Sequence, residues 1–272
     1  MVRRTPKHLI VALFVVTIVG STVALGAATA GQQTTQATRT TQTTSYVRVL
    51  HASPDAPPVD VTVDGRTVLS NVSFGSVSDY LSLAAGTHDV TIAAAGHPDA
   101  VVFQGPVTLD PRTVTTLAAT GEISPNSSTT FEPVAYDDDA YTPTANESAI
   151  RVVHLSPDAP TVDVTTANGS VVLADNVSFR NASDYVAVPA GSYTVEIRAA
   201  TAGNDGPVVT TVDVSLQGGT AYTALAVGYL DPGSAPANTP FEVVPTTDAT
   251  ATVELPVTMG GTNETPTETT MG

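Results

Sequence analysis

The chain has 272 residues, a formal net charge of -16 and a pI of about 4.3, and it contains neither cysteine nor tryptophan. So acidic a chain repels nucleic acid and anionic lipid, and without cysteine it has no disulfide, thiolate nucleophile, thiolate metal centre or N-terminal cysteine to carry a lipid. The missing tryptophan removes the strongest platform for sugar stacking, which weakens carbohydrate binding without excluding it.

Residues 1–30 read as an export signal. Arg3, Arg4 and Lys7 form a basic start, Leu9–Val19 is apolar apart from Thr17, and Ala28-Thr29-Ala30 offers a small-residue cleavage site. The Arg3-Arg4 pair permits a twin-arginine route, although Thr5 and Pro6 fit that motif poorly. The rival reading is an uncleaved anchor, because weakly apolar residues carry the stretch to Ala28, about the twenty residues a span needs. Membrane contact is expected only through this segment. Cleavage would leave 7 of the 10 basic residues against 26 acidic ones. That imbalance, with Lys7 the only lysine, suits either colloidal solubility or a halophilic setting, where molar salt shortens the Debye length to about 3 Å.

Residues 31–45 are rich in Thr and Gln with almost no large apolar side chain, and read as a disordered spacer. Two copies of one domain follow. Val47–Thr62 (VRVLHASPDAPPVDVT) is repeated as Ile150–Thr165 (IRVVHLSPDAPTVDVT), and Asn71–Tyr80 (NVSFGSVSDY) as Asn176–Tyr185 (NVSFRNASDY). A period near 105 residues is a whole domain rather than a solenoid unit. The first copy is expected over residues 46–134 and the second over 149–244, joined by an acidic linker, 135–148, and followed by a Thr/Glu/Pro-rich tail, 245–272.

Within each copy the apolar period is two. Val59, Val61 and Val63 oppose Asp60, Thr62 and Asp64; Tyr193, Val195 and Ile197 oppose Thr194, Glu196 and Arg198. Turn signals at Asp64-Gly65, Ala85-Gly86, Asn168-Gly169, Ala190-Gly191 and Gly218-Gly219 separate the runs. About seven short strands per copy and no amphipathic helix predict an all-β chain of two tandem immunoglobulin-like antiparallel β-sandwiches with disordered termini.

The segments VRVLHASPDAPPVDVTVDG and VLSNVSFGSVSDYLSLAAG, and in the second copy IRVVHLSPDAP, NVSFRNASDYVAVPAGSYTVEIR and GTAYTALAVG, resemble the domain of unknown function 4397 family. The resemblance covers both copies. It implies a β-sandwich in an exported, often tandem context, and it implies no activity and no catalytic residues.

The HxSPDAP segments are the strongest local signal. His51 with Asp55 or Asp60 offers a metal or acid–base pair, and Ser53, His51 and Asp60 a triad on paper. A catalytic zinc site asks for three protein ligands, and neighbouring residues of one strand and turn rarely converge as a triad requires. The mechanical reading is therefore preferred: Pro54 and Pro57 set the turn, Ser53 and Asp55 cap it, and His51 packs at the end of the first strand. His154, Ser156, Pro157, Asp158 and Asp163 repeat these roles. Tyr80 and Tyr185 are expected to bury their rings and tie their hydroxyls to backbone. Asp137-Asp138-Asp139 lacks the spacing of a calcium loop and reads as a solvated charge run.

Seven N-x-[ST] sequons, at Asn71, Asn126, Asn146, Asn168, Asn176, Asn181 and Asn263, are candidate glycosylation sites. Asn71 and Asn176 hold equivalent positions and have the alternative of being turn residues. No catalytic, cofactor or metal site is assigned. The expectation is a non-enzymatic secreted or cell-surface protein whose partner is an envelope protein or polysaccharide; a passive spacer and an exported hydrolase are the alternatives.

Overall fold

The computed structural model describes residues 43–125, 127–138, 142–167 and 169–248. The export signal, most of the Thr/Gln-rich spacer and the tail from residue 249 therefore lie outside the described residues.

Sixteen strands and no helix make up the described chain. The first half holds β1 (Thr44–Ala52), β2 (Val59–Val63), β3 (Arg66–Val72), β4 (Leu81–Ala84), β5 (Gly86–Ala94), β6 (Val101–Leu109), β7 (Val114–Thr120) and β8 (Glu132–Asp137). The second half repeats them as β9 (Glu147–His154), β10 (Val162–Thr166), β11 (Val172–Val177), β12 (Val186–Pro189), β13 (Gly191–Ala199), β14 (Val208–Leu216), β15 (Thr220–Val227) and β16 (Glu242–Thr247). Each half has eight strands where the alternation suggests seven. The eighth, β8, runs to Asp137 into the stretch whose composition reads as linker, and β16 likewise runs to Thr247.

Each half is a sandwich of two four-stranded sheets, ordered β4-β1-β7-β8 over β3-β2-β5-β6 and, in the second, β12-β9-β15-β16 over β11-β10-β13-β14. Pairing is antiparallel except β1 with β7 and β9 with β15, which run parallel. The alternating valines do what their period demands. Val59, Val61 and Val63 of β2 point inward against Val90 and Ile92 of β5 and Val47 and Val49 of β1; Val162, Val164, Val195 and Ile197 do the same in the second half. The Asp64-Gly65 signal is a two-residue hairpin turn between β2 and β3 with both residues at positive φ (50° and 76°), the backbone that fits the twist of the flanking strands.

Strands β1 and β9 do not alternate, because both of their faces are buried. Val47 and Val49 face the sandwich core, while Leu50 and Ala52 turn the other way and join Ala118 and Tyr136 in a third apolar cluster with Val153, Leu155, Leu225 and Val227 of the second half. The β4-β1-β7-β8 sheet therefore packs face to face on its counterpart β12-β9-β15-β16. Four layers result, and the two halves form one body rather than beads on a slack linker. Burying a Leu or Val side chain is worth about 1.5–3 kcal/mol, so this cluster favours the packed arrangement over separated halves.

Candidate functional site

The repeat motif forms the same staple in both halves. His51 closes β1 and is 1% exposed; its Nε2 lies 3.0 Å from the Pro57 carbonyl, and its ring meets Phe74 edge-on. His154 repeats this with the Pro160 carbonyl at 2.9 Å and Phe179. Donation to a carbonyl places the proton on Nε2, leaving Nδ1 buried without a hydrogen-bond partner in both rings. Burial pushes both imidazoles below their ordinary pKa, so they stay neutral.

The carboxylates of the motif are likewise taken up by backbone. Asp55 accepts from the Ile123 and Ser124 amides at 2.8–3.1 Å, and Asp158 from Leu230 and Asp231 at 2.8 Å. Each thereby ties the turn after β1 or β9 to the loop after β7 or β15. Ser53 and Ser156 donate to Asp55 and Asp158, and Ser156 also lies 2.6 Å from the Gly228 carbonyl. Pro54 follows Ser53 into the interior and its carbonyl accepts from Thr239 at 2.8 Å, whereas Pro157 is half-buried.

Asp60 accepts from the Asn71 and Gly96 amides, which hold its pKa below the usual carboxylate range. Asp163, with no exposed surface, accepts from Asn176 and Thr201. Asn71 and Asn176 sit at φ 54° and 53° where β3 and β11 shift register against β2 and β10. Asparagine tolerates this left-handed backbone better than most residues, so the pair serves as bulge residues while leaving both side chains exposed. Ser53, His51 and Asp60 are each committed elsewhere, and none hydrogen-bonds another. The paper triad is not assembled.

Among the other sequons, Asn146 is exposed, while the Asn181 amide donates to Ser178 and Phe179 of its own turn. Asn126, Asn168 and Asn263 lie outside the described residues.

The densest constellation of charge is one that periodicity passes over. It lies between the halves, where Arg48 and Arg151, at equivalent positions in β1 and β9, cross to the partner half. Arg48 ion-pairs with Asp248 and donates to the Thr247 carbonyl at 3.0 Å; Arg151 ion-pairs with Asp138 and donates to the Asp137 carbonyl at 2.7 Å. The other oxygen of each carboxylate is held by its own half. Asp138 accepts from Tyr80 at 2.7 Å and Thr116 at 2.6 Å, and Asp248 from Tyr185 and Thr223, both at 2.7 Å. Each guanidinium also lies 4.9 Å from the ring centre of its own tyrosine, Tyr80 or Tyr185. Burial, reinforced by the neighbouring carboxylate, raises both tyrosine pKa values, so the hydroxyls remain donors.

This arrangement corrects two expectations. Asp138 is buried at 4% exposure, so Asp137-Asp138-Asp139 is not simply a solvated run; Asp137 is exposed and Asp139 lies outside the described residues. Tyr80 and Tyr185 bury their rings as expected, but their hydroxyls meet carboxylates rather than backbone. The signal available in the sequence was an arginine at the same place in both copies of an otherwise apolar strand, in a chain with only 10 basic residues.

The class so defined is a tandem β-sandwich protein whose motif residues hold loops and whose buried ion pairs join the repeats. The chain belongs to the family described as Domain of unknown function (DUF4397), whose model matches it twice, over residues 45–165 and 156–255. No curated protein matches the chain. Among solved structures it is similar to the Bacillus anthracis TIE protein (10% identity, 68% of this chain and 34% of that one, TM-score 0.21). It is also similar to a leucine-rich repeat protein from Bacteroides thetaiotaomicron (16%, 69% and 26%, TM-score 0.17). A third is a candidate cell adhesion protein from Bacteroides eggerthii (11%, 76% and 95%, TM-score 0.18). The chain thus spans about a third and a quarter of the first two. No helix among the described residues is long and apolar enough to cross a membrane.

Proposed function

We propose that this is a non-enzymatic exported protein of the cell surface or surrounding medium, in which two sandwich repeats act as one stiff interaction block carried on Thr-rich extensions. The observation that carries the reading is the fate of the repeat motif. Nε2 of His51, the carboxylates of Asp55 and Asp60, and their counterparts are held by backbone groups of their own half, which supports loop architecture over turnover. The basic and apolar character of residues 1–30 supports export, and the acidic composition supports a partner that is neither nucleic acid nor anionic lipid. An envelope protein or polysaccharide fits that chemistry.

The test is fractionation of native cells with intact-mass analysis. A species that begins near Gly31, carries glycans and sediments with the envelope supports the reading. Release of an unglycosylated species to the medium removes the envelope role, and retention of residues 1–30 makes the protein membrane-anchored. For the hydrolase alternative, His51→Ala or His154→Ala abolishing turnover of an envelope polymer in folded protein would reinstate catalysis.

A second reading, a passive spacer, is favoured by one feature. Among the described residues the exposed large apolar side chains are Val101, Ile123, Val172 and Val208, none of them aromatic, whereas binding surfaces are enriched in exposed aromatics. Retention of envelope extract on immobilised intact protein separates the two: specific capture of one component supports the binder, and none supports the spacer.

A further inference from the structure

The interface between the halves is built on an approximate two-fold axis. Arg48 answers to Arg151, Asp138 to Asp248 and Leu50 to Val153, and each member contacts the other half in the same way. Such an isologous face is self-complementary by construction. With nothing else added, a first half would pair with another first half as well as with a second.

Two positions break that symmetry. After β7 and β15 the equivalent residues are Glu122 and Tyr229, following the equivalent glycines Gly121 and Gly228. They meet each other: the Tyr229 hydroxyl donates to Glu122 Oε1 at 2.9 Å, with the tyrosine 1% and the glutamate 5% exposed. The other Glu122 oxygen is taken by Ser128 and Thr129 of its own loop. A pair of first halves would set Glu122 against Glu122, two buried carboxylate oxygens with no donor between them; a pair of second halves would set Tyr229 against Tyr229, where the charged acceptor is replaced by another neutral hydroxyl.

The second position is Gly75 in the first half and Arg180 in the second. Both have positive φ, 76° and 65°, a backbone natural to glycine and strained for arginine. The arginine nevertheless stands there and reaches across. It ion-pairs with Glu132 at 2.9 Å and donates to Thr120 Oγ1 at 2.9 Å and to the Thr130 carbonyl, while its own carbonyl accepts from Tyr136 at 3.1 Å. At Gly75 a Cβ would lie 2.8 Å from Glu242 Oε1, so the first half admits no arginine there without moving that glutamate. A pair of first halves would lose the Arg180 contacts altogether.

We infer that the β4-β1-β7-β8 face selects its unlike counterpart, so that in trans it takes the second half of another copy of this chain and rejects another first half. Attraction comes from the shared Arg–Asp exchange and the apolar cluster. Selectivity comes from Glu122 with Tyr229 and Arg180 with Glu132, an attractive pair in one combination and an unpaired charge in the other.

The test keeps the chain intact until it has folded. A protease site inserted after Thr142 is cut in the folded protein, and light and nitrogen-15-labelled cut samples are mixed and followed by native mass spectrometry. First-with-second pairs of mixed label, outnumbering like pairs by at least about tenfold, are expected, since a charged hydrogen bond lost from a buried site carries that weight. First-with-first pairs in comparable amount overturn the inference. Uncut variants give an independent readout: Tyr229→Glu should lower the unfolding temperature well beyond Tyr229→Phe, and adding Glu122→Gln to Tyr229→Glu should recover most of the difference. If Tyr229→Glu is no worse than Tyr229→Phe, or Glu122→Gln gives no recovery, the pairing rule is wrong.

Discussion

Asp138→Asn is the sharpest test of how the halves are joined. The substitution keeps the shape of a side chain that has no exposed surface, removes its charge and puts an NH2 donor in place of one acceptor oxygen. Arg151 then loses its ion pair across the interface and Arg48 loses a carboxylate oxygen 3.3 Å from Nε. The Tyr80 and Thr116 hydroxyls lose a charged acceptor. Removing one partner of a buried ion pair costs about 3–5 kcal/mol, because the remaining charge stays desolvated. Asp248 still neutralises Arg48, which places the expected loss near the lower bound, about 3 kcal/mol. For a folded unit of this size each kcal/mol moves the unfolding midpoint by about 2–4 °C, so a fall of roughly 6–12 °C in scanning calorimetry is expected. Asp137→Asn is the control, since that side chain is exposed and only its backbone carbonyl contacts Arg151; its effect should stay within about 0.5 kcal/mol. Equal shifts for the two variants would refute the reasoning.

Three further outcomes follow from the geometry. Asp163→Ala removes a buried carboxylate that accepts from the Asn176 and Thr201 amides and should cost about 2–4 kcal/mol in urea unfolding, more than Asp60→Ala at its half-exposed counterpart; equal costs would count against a role for burial. Gly121→Ala combines φ 80° with a Cβ only 2.1 Å from the Thr130 carbonyl oxygen and should destabilise by more than about 3 kcal/mol. Gly65→Ala, with φ 76° but open space around it, should cost about 1 kcal/mol in the same thermal assay. His51 and His154 are driven below the ordinary imidazole value of about 6.5 by burial, so the unfolded chain binds their protons more readily. Their contribution is complete above about pH 6.5 and is lost as pH falls through the folded values. His88 opposes them. Its pKa is raised by the Ala84 carbonyl and Asp64, so its contribution is complete below about pH 6.5 and fades as pH rises through its folded value. Urea titrations between pH 5 and 8 should therefore show a steeper acid-side loss for His88→Gln than for the parent, and a shallower one for His51→Gln with His154→Gln.

What the amino-acid order determined by itself is everything that depends on near neighbours. Alternation of Val59, Val61 and Val63 names a strand with one buried face, Asp64-Gly65 names a tight turn, and the recurrence of HxSPDAP names two copies of one fold. These are properties of backbone stereochemistry and of side chains two residues apart, so they survive without knowledge of the rest of the chain. The staple at His51 was legible for the same reason, since its carbonyl partner, Pro57, lies six residues away. Tertiary structure alone decided what β1 and β9 do with their second face. Nothing local distinguishes an Arg48 pointing to water from one paired with an aspartate 200 positions later, and a buried charge in an apolar strand is intelligible only once its counter-ion is in place. The same holds for Asp138, which composition groups with solvated carboxylates, and for Glu122, whose tyrosine is 107 residues away. Burial of a charge depends on contacts made after the sheets have met. That is why the two sandwiches could be read from the sequence while the joint between them could not.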